Sequence, residues 1–94
     1  MDYEVEINQT GRGGTINYIE EEKSLPFDWE FSMVGADIFV PTSSEWDSYC
    51  EKHLADWAKG RRQEILERLS QEVRKQKVQS AKIKIEDHWI QFTF

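Results

Sequence analysis

Cysteine is nearly missing from this 94-residue chain: Cys50 stands alone, so no intramolecular disulfide can hold the fold. A lone thiol suits a reducing compartment, and a cytoplasmic protein is expected. Long apolar runs are missing as well. The longest are a few residues, such as Ile38-Phe39-Val40, against the ~20 that a membrane-crossing helix needs. No membrane role is therefore expected. The opening Met1-Asp2-Tyr3-Glu4-Val5-Glu6 is acidic and alternating, unlike the basic start and apolar stretch of a secretory signal. Repeats, low-complexity tracts and linkers are absent. Positive charge is scarce, with 12 basic residues against 18 acidic ones and a net charge of −6. That balance argues against general binding of nucleic acid or anionic membrane.

Aromatic side chains are plentiful, with five Phe, four Trp and three Tyr. A domain this short buries only about two-thirds of its unfolded surface. Large rings hiding ~150–250 Å² each suit a core of that size. The length fits one domain, residues 1–94, and is too short for two ordinary ones.

Charge is divided along the chain. Residues 1–58 carry thirteen acidic and three basic residues, for −10, while residues 59–94 carry five acidic and nine basic, for +4. The halves attract each other within one fold, or the basic half faces an acidic partner.

Alternation marks the strands. Tyr3, Val5 and Ile7 share one face and Glu4, Glu6 and Asn8 the other, the period of a half-buried strand. Gln9 to Gly14 reads as a turn, and Thr15 to about Glu21 returns with Ile16 and Tyr18 inward. Pro26 interrupts the run, since proline lacks a ladder donor. Phe27, Trp29, Phe31 and Met33 then alternate with Asp28, Glu30, Ser32 and Val34. After a turn at Gly35-Ala36-Asp37, Ile38-Phe39-Val40 forms a fourth strand. Near the end, Ala81, Ile83 and Ile85 alternate with Lys82, Lys84 and Glu86, and Ile90, Phe92 and Phe94 with Trp89, Gln91 and Thr93. This second hairpin is expected beside an acidic N-terminal strand, where Lys82 and Lys84 pair with Glu4 and Glu6 or with Asp28 and Glu30.

Helical character runs from about 43 to 77. Thr42-Ser43-Ser44-Glu45 fits a capping box, and Arg74, Lys75 and Lys77 suit the negative end of the helix dipole. A straight helix of that length would span about 52 Å, whereas a compact chain of this size is roughly 32 Å across. The apolar stripe also shifts. Trp46, Tyr49, Cys50, His53, Leu54 and Trp57 form one stripe. Ile65, Leu66, Leu69 and Val73 form another, rotated by roughly 140°. Gly60 sits between them, so a break there is expected, with both stripes on one sheet. The alternative is a continuous helix whose second stripe meets another chain. The fold class is α+β: an antiparallel sheet of five or six strands, order ββββ-α-ββ, with a long or Gly60-broken helix on one face.

No catalytic motif, metal signature or cofactor fingerprint is present. Gly11-Arg12-Gly13-Gly14 joins two strands rather than a strand and a helix, so it is a hairpin turn and not a phosphate loop. Cys50 and His53 lie three apart, but zinc wants three or four ligands and no others share the spacing. Asp87-His88 falls in a tight turn that favours Asp for geometry alone. Glu20-Glu21-Glu22 reads as a solvated edge. The basic stripe Arg61, Arg68, Lys75 is interrupted by Glu64, Glu67 and Glu72, which makes a salt-bridged exposed helix.

The functional expectation is a non-enzymatic protein-interaction module that self-associates as a homodimer. Its apolar contact would be Ile65, Leu66, Leu69 and Val73, with Arg61, Arg62 and Arg68 at the rim. An alternative is a small-ligand or catalytic pocket walled by Trp29, Trp46, Trp57 and Trp89, using His53 or His88. A second alternative is weak nucleic-acid binding by the basic helix. No cofactor or metal is expected.

Overall fold

A computed structural model describes residues 3–33 and 35–94. Met1, Asp2 and Val34, the last expected at the end of the third strand, lie outside the described residues. Among the described residues six strands form one antiparallel sheet: β1 Glu4–Thr10, β2 Gly13–Glu20, β3 Lys23–Ser32, β4 Gly35–Phe39, β5 Lys82–Ile85 and β6 Trp89–Thr93. Between β4 and β5 come the helix α1 (Trp46–Lys52), a 3₁₀ turn at Asp56–Ala58 and the helix α2 (Arg62–Lys77). The α+β class and the ββββ-α-ββ order are as the alternation indicated.

The sheet order is β1-β2-β3-β4-β6-β5. The C-terminal hairpin therefore docks on β4 through β6, and β5 is an edge strand far from β1 in sheet order. This corrects the expectation that the lysines of β5 lie against Glu4 and Glu6 or Asp28 and Glu30. Apolar burial decides the placement. Ile90 and Phe92 of β6 are wholly buried, and burying each contributes ~1.5–3 kcal/mol. Surface ion pairs contribute only ~0–1 kcal/mol. Lys84 bonds Glu86 instead, at 3.0 Å. Glycine makes the docking possible at Gly35. A Cβ there would sit 1.7 Å from the Phe92 carbonyl oxygen, and φ is +155°.

Several boundaries differ from the pattern reading. β3 begins at Lys23 and carries Pro26 within it. Strand β4 ends opposite Asp28, so Pro26 has no ladder partner on that side and its missing N–H costs nothing. Its carbonyl there accepts from the Tyr49 hydroxyl of α1. Met33 lies in the β3–β4 turn and is 99 % exposed, not inward. The Thr42 capping box does not form. Thr42 Oγ1 donates to the Glu45 carboxylate at 2.8 Å, the Glu45 N–H donates to the Thr42 carbonyl, and α1 starts only at Trp46.

The helical excursion breaks at Gly60, as the shifted stripe indicated; φ there is +73° and its N–H donates to Asp47 at 3.1 Å. A second break comes at His53-Leu54. The N–H of Leu54 donates to the Glu51 carbonyl and that of Ala55 to the Cys50 carbonyl, with Leu54 at φ +55°. That is a Schellman ending with leucine in the left-handed position usually given to glycine.

Both helices pack on the inner face. Phe27 stacks on Trp46 and Tyr49. Ile65, Leu66 and Leu69 are wholly buried and Val73 is 4 % exposed. The sheet curls so far around α2 that Tyr3, beside β1, and Ile83 and Ile85 of β5 line one cleft with Arg68 and Gln71. The supposed contact surface of α2 is thus core, covered by its own strands, and this corrects its assignment to a partner. The break at Gly60 turns the second apolar stripe onto the sheet, as expected, and the alternative of a continuous helix with that stripe left for another chain is overturned.

Candidate functional site

The basic side chains assigned to an interface rim are turned inward onto the chain's own carboxylates and carbonyls. Glu20, expected to be solvated, is only 5 % exposed. Arg61 grips it with two bonds, of 3.1 and 2.8 Å, and Arg68 adds a third at 3.3 Å. The Tyr18 hydroxyl donates to the same carboxylate. Glu64 bridges both arginines from the solvent side, at 3.0 and 2.9 Å. Tyr3 stacks on Tyr18, Tyr18 on Trp57, and the Arg68 guanidinium lies 5.2 Å from the Tyr3 ring centre. Burial pushes the Glu20 carboxyl up, but the bonds from Arg61 and Tyr18 and the charges of Arg61 and Arg68 outweigh it and hold it below 4.5. Burial, then the bond to Glu20, push the Tyr18 phenol up to about 12. Arg62 donates to the carbonyls of Pro41 and Asp87. These groups hold α2 to the sheet.

The four tryptophans do not share a pocket. Trp29 and Trp46 are core residues, whose ring N–H groups donate to the carbonyls of Asn8 and Ala58. Trp57 is half-buried against Tyr18, and Trp89 is on the opposite, outer face of the sheet. The His53 ring lies tilted against that of Tyr49, centroids 4.5 Å apart, while His88 is exposed in the β5–β6 turn. The catalytic constellation therefore does not assemble. Cys50 is wholly buried; burial, then the charge of Asp47, push its thiol up to about 11. Among the described residues no group of three His, Cys, Asp or Glu is placed to hold a metal ion.

What the pattern reading left unassigned is how the residues of the outer face pair. Strand alternation turns Glu4 and Glu6 of β1, Asp28 and Glu30 of β3, and Asp37 of β4 outward. Each has solvent exposure, and among the described residues none has a salt bridge. Glu30 lies directly opposite Asp37, a like-charge pairing that destabilises a sheet. One row along, Asp28 is opposite Phe39, and Phe39 is opposite Trp89. These two aromatics keep 42 % and 41 % of their surface in solvent. Alternating exposure in β4 and β6 gave the signal: Phe39 and Trp89 are out of phase with their inward neighbours Ile38 and Ile90.

Beside Phe39 the sheet has a notch, because β4 stops while β3 continues. Helix α1 stands across it. The result is a cleft of about 520 Å³ lined by Asp28, Phe39, Val40, Pro41, Glu45, Ser48, Tyr49 and Lys52. Burial, then the negative charge of Asp28, push the Tyr49 phenol up to about 12. Family models, curated proteins and solved structures offer no match to the chain.

Proposed function

We propose that this chain is a non-enzymatic interaction module whose outer sheet face docks a basic protein. The observation that carries the reading is the pairing on β3, β4 and β6: an unneutralised Glu30–Asp37 couple beside two half-exposed aromatics, Phe39 and Trp89. Folding alone disfavours both. Like charges across a ladder repel, and large rings left half in water forgo burial that contributes ~25 cal/mol per Å². A cationic partner reverses both signs, since it neutralises the carboxylates and covers the rings. Aromatic residues at the centre of a polar rim are the usual make-up of a protein contact. Self-association through α2 has lost its surface, so the contact moves to the sheet. The tryptophan pocket loses support because its four rings are dispersed over the core and both faces of the sheet, and the basic helix because Arg61, Arg62 and Arg68 are bound to groups of the chain itself.

Fluorescence titration with poly-arginine at two salt concentrations tests this. Binding is expected to weaken steeply with salt. It should fall in the double variant Glu30→Gln/Asp37→Asn and persist in the control Glu4→Gln/Glu6→Gln. Equal binding by both double variants, or binding indifferent to salt, would refute the outer-face reading.

A further inference from the structure

The notch beside Phe39 differs from the rest of the outer sheet face. It is concave, and it brings two carboxylates, Asp28 and Glu45, together with two aromatic side chains, Phe39 and Tyr49. We infer that this cleft seats a single guanidinium group, the side chain of one arginine on the basic partner. The inference rests on the proposed docking function, which it refines by naming the anchoring group.

Three features converge on that chemistry. Asp28 has no salt-bridge partner among the described residues and stands directly opposite Phe39, so an acceptor and a ring border the same space. A guanidinium satisfies both at once, because its plane lies on an aromatic face while its edge forks to a carboxylate. An ammonium is a strongly hydrated point charge without that planar edge. The aromatic wall is also fixed. The Tyr49 hydroxyl is tied to the Pro26 carbonyl, and its ring contacts those of Phe27 and His53, so little side-chain entropy of this residue remains to be lost on binding. Glu45 is oriented by the Thr42 hydroxyl at 2.8 Å. Among the described residues Lys52 is the one cation in the lining. Its positive charge opposes a cationic ligand in the same cleft.

Amide-resolved NMR titration with N-acetyl-arginine amide, against N-acetyl-lysine amide, tests the assignment on the whole chain. Shifts are expected at Ser48, Tyr49 and Lys52 with the arginine ligand, and several-fold weaker ones with the lysine ligand. Asp28→Asn should lower the affinity about tenfold, the loss of one charge-assisted contact. Lys52→Gln should raise it. Phe39→Ala should weaken it without altering the fold, since its ring is at the surface. No shifts at these amides, equal responses to both ligands, or weaker binding in Lys52→Gln would each overturn the inference. Failure here together with patch-dependent poly-arginine binding leaves the docking face standing without its arginine anchor. The reverse pattern removes the face and keeps the cleft.

Discussion

Replacing Leu54 by glycine should make the protein more stable, although it deletes a large apolar side chain. Leu54 holds the left-handed position of the Schellman ending of α1, at φ +55°, and is 91 % exposed. An L-residue in that conformation costs ~1–2 kcal/mol. Glycine avoids this cost, but its freer unfolded chain returns about 0.5–1 kcal/mol. With so little surface buried, no packing is lost. The net gain is about 0.5–1 kcal/mol. Unfolding entropy of ~2.1 cal/mol/K per residue, taken over 94 residues, converts this to a rise in Tm of about 3–5 °C. Urea denaturation should show a higher midpoint and an unchanged slope. The matched control is Gly60→Ala. Gly60 has φ +73°, and a Cβ there would meet nothing within 4 Å among the described residues, so backbone strain alone should lower stability by about 1 kcal/mol. An unchanged or lower Tm in Leu54→Gly would refute the reasoning. It would mean that the leucine side chain makes a contact worth more than the strain.

Other outcomes follow from the core and the buried network. The Glu20 carboxyl is held below 4.5 in the fold, so its contribution is present above that pH and is lost as pH falls below it. Glu20→Gln should cost about 2 kcal/mol at pH 7. Its melting curve should converge on that of the unaltered chain in acid; a constant gap from pH 7 to 3 would contradict the linkage. Leu69→Ala should cost about 2–5 kcal/mol, measured by urea denaturation, because Leu69 is wholly buried within one copy. A loss below 1 kcal/mol would show that the site is open. Cys50, wholly buried with its thiol raised to about 11, should react with a thiol reagent at pH 8 only as fast as the protein opens. Immediate labelling of the native protein would count against that.

The sequence made some features plain and hid others for physical reasons. Hairpins were legible because one face of each strand is buried, which forces period two, as in Tyr3, Val5 and Ile7. The break at Gly60 was legible because a poor helix former coincided with a rotated stripe. The break at Leu54 was not, since leucine gives no local sign of a left-handed backbone. Glu20 was misread because burial of a carboxylate depends on Arg61 and Arg68, 41 and 48 residues away in the chain. The same distance hid the fate of both arginines. Charge pattern alone sent the C-terminal hairpin towards Glu4 and Glu6, yet Ile90, Phe92 and Gly35 outweigh any surface pairing. The outer face was half legible: its acidic residues were noted as strand partners, but the Phe39–Trp89 couple exists only once β6 lies beside β4. The cleft was wholly illegible, because it is the space left where one strand is shorter than its neighbour.

The position of β6 also bears on synthesis. The meander β1 to β4 pairs only near neighbours in sequence and can assemble as it emerges. The open side of β4, however, belongs to a strand made some fifty residues later, at Trp89–Thr93. Ile38 and Ala36 therefore wait with their backbone donors and acceptors unclaimed while both helices are being translated. A nascent chain stalled within α2 presents a sticky ribbon edge, the segment at which a holding chaperone or an aberrant neighbour strand would first attach.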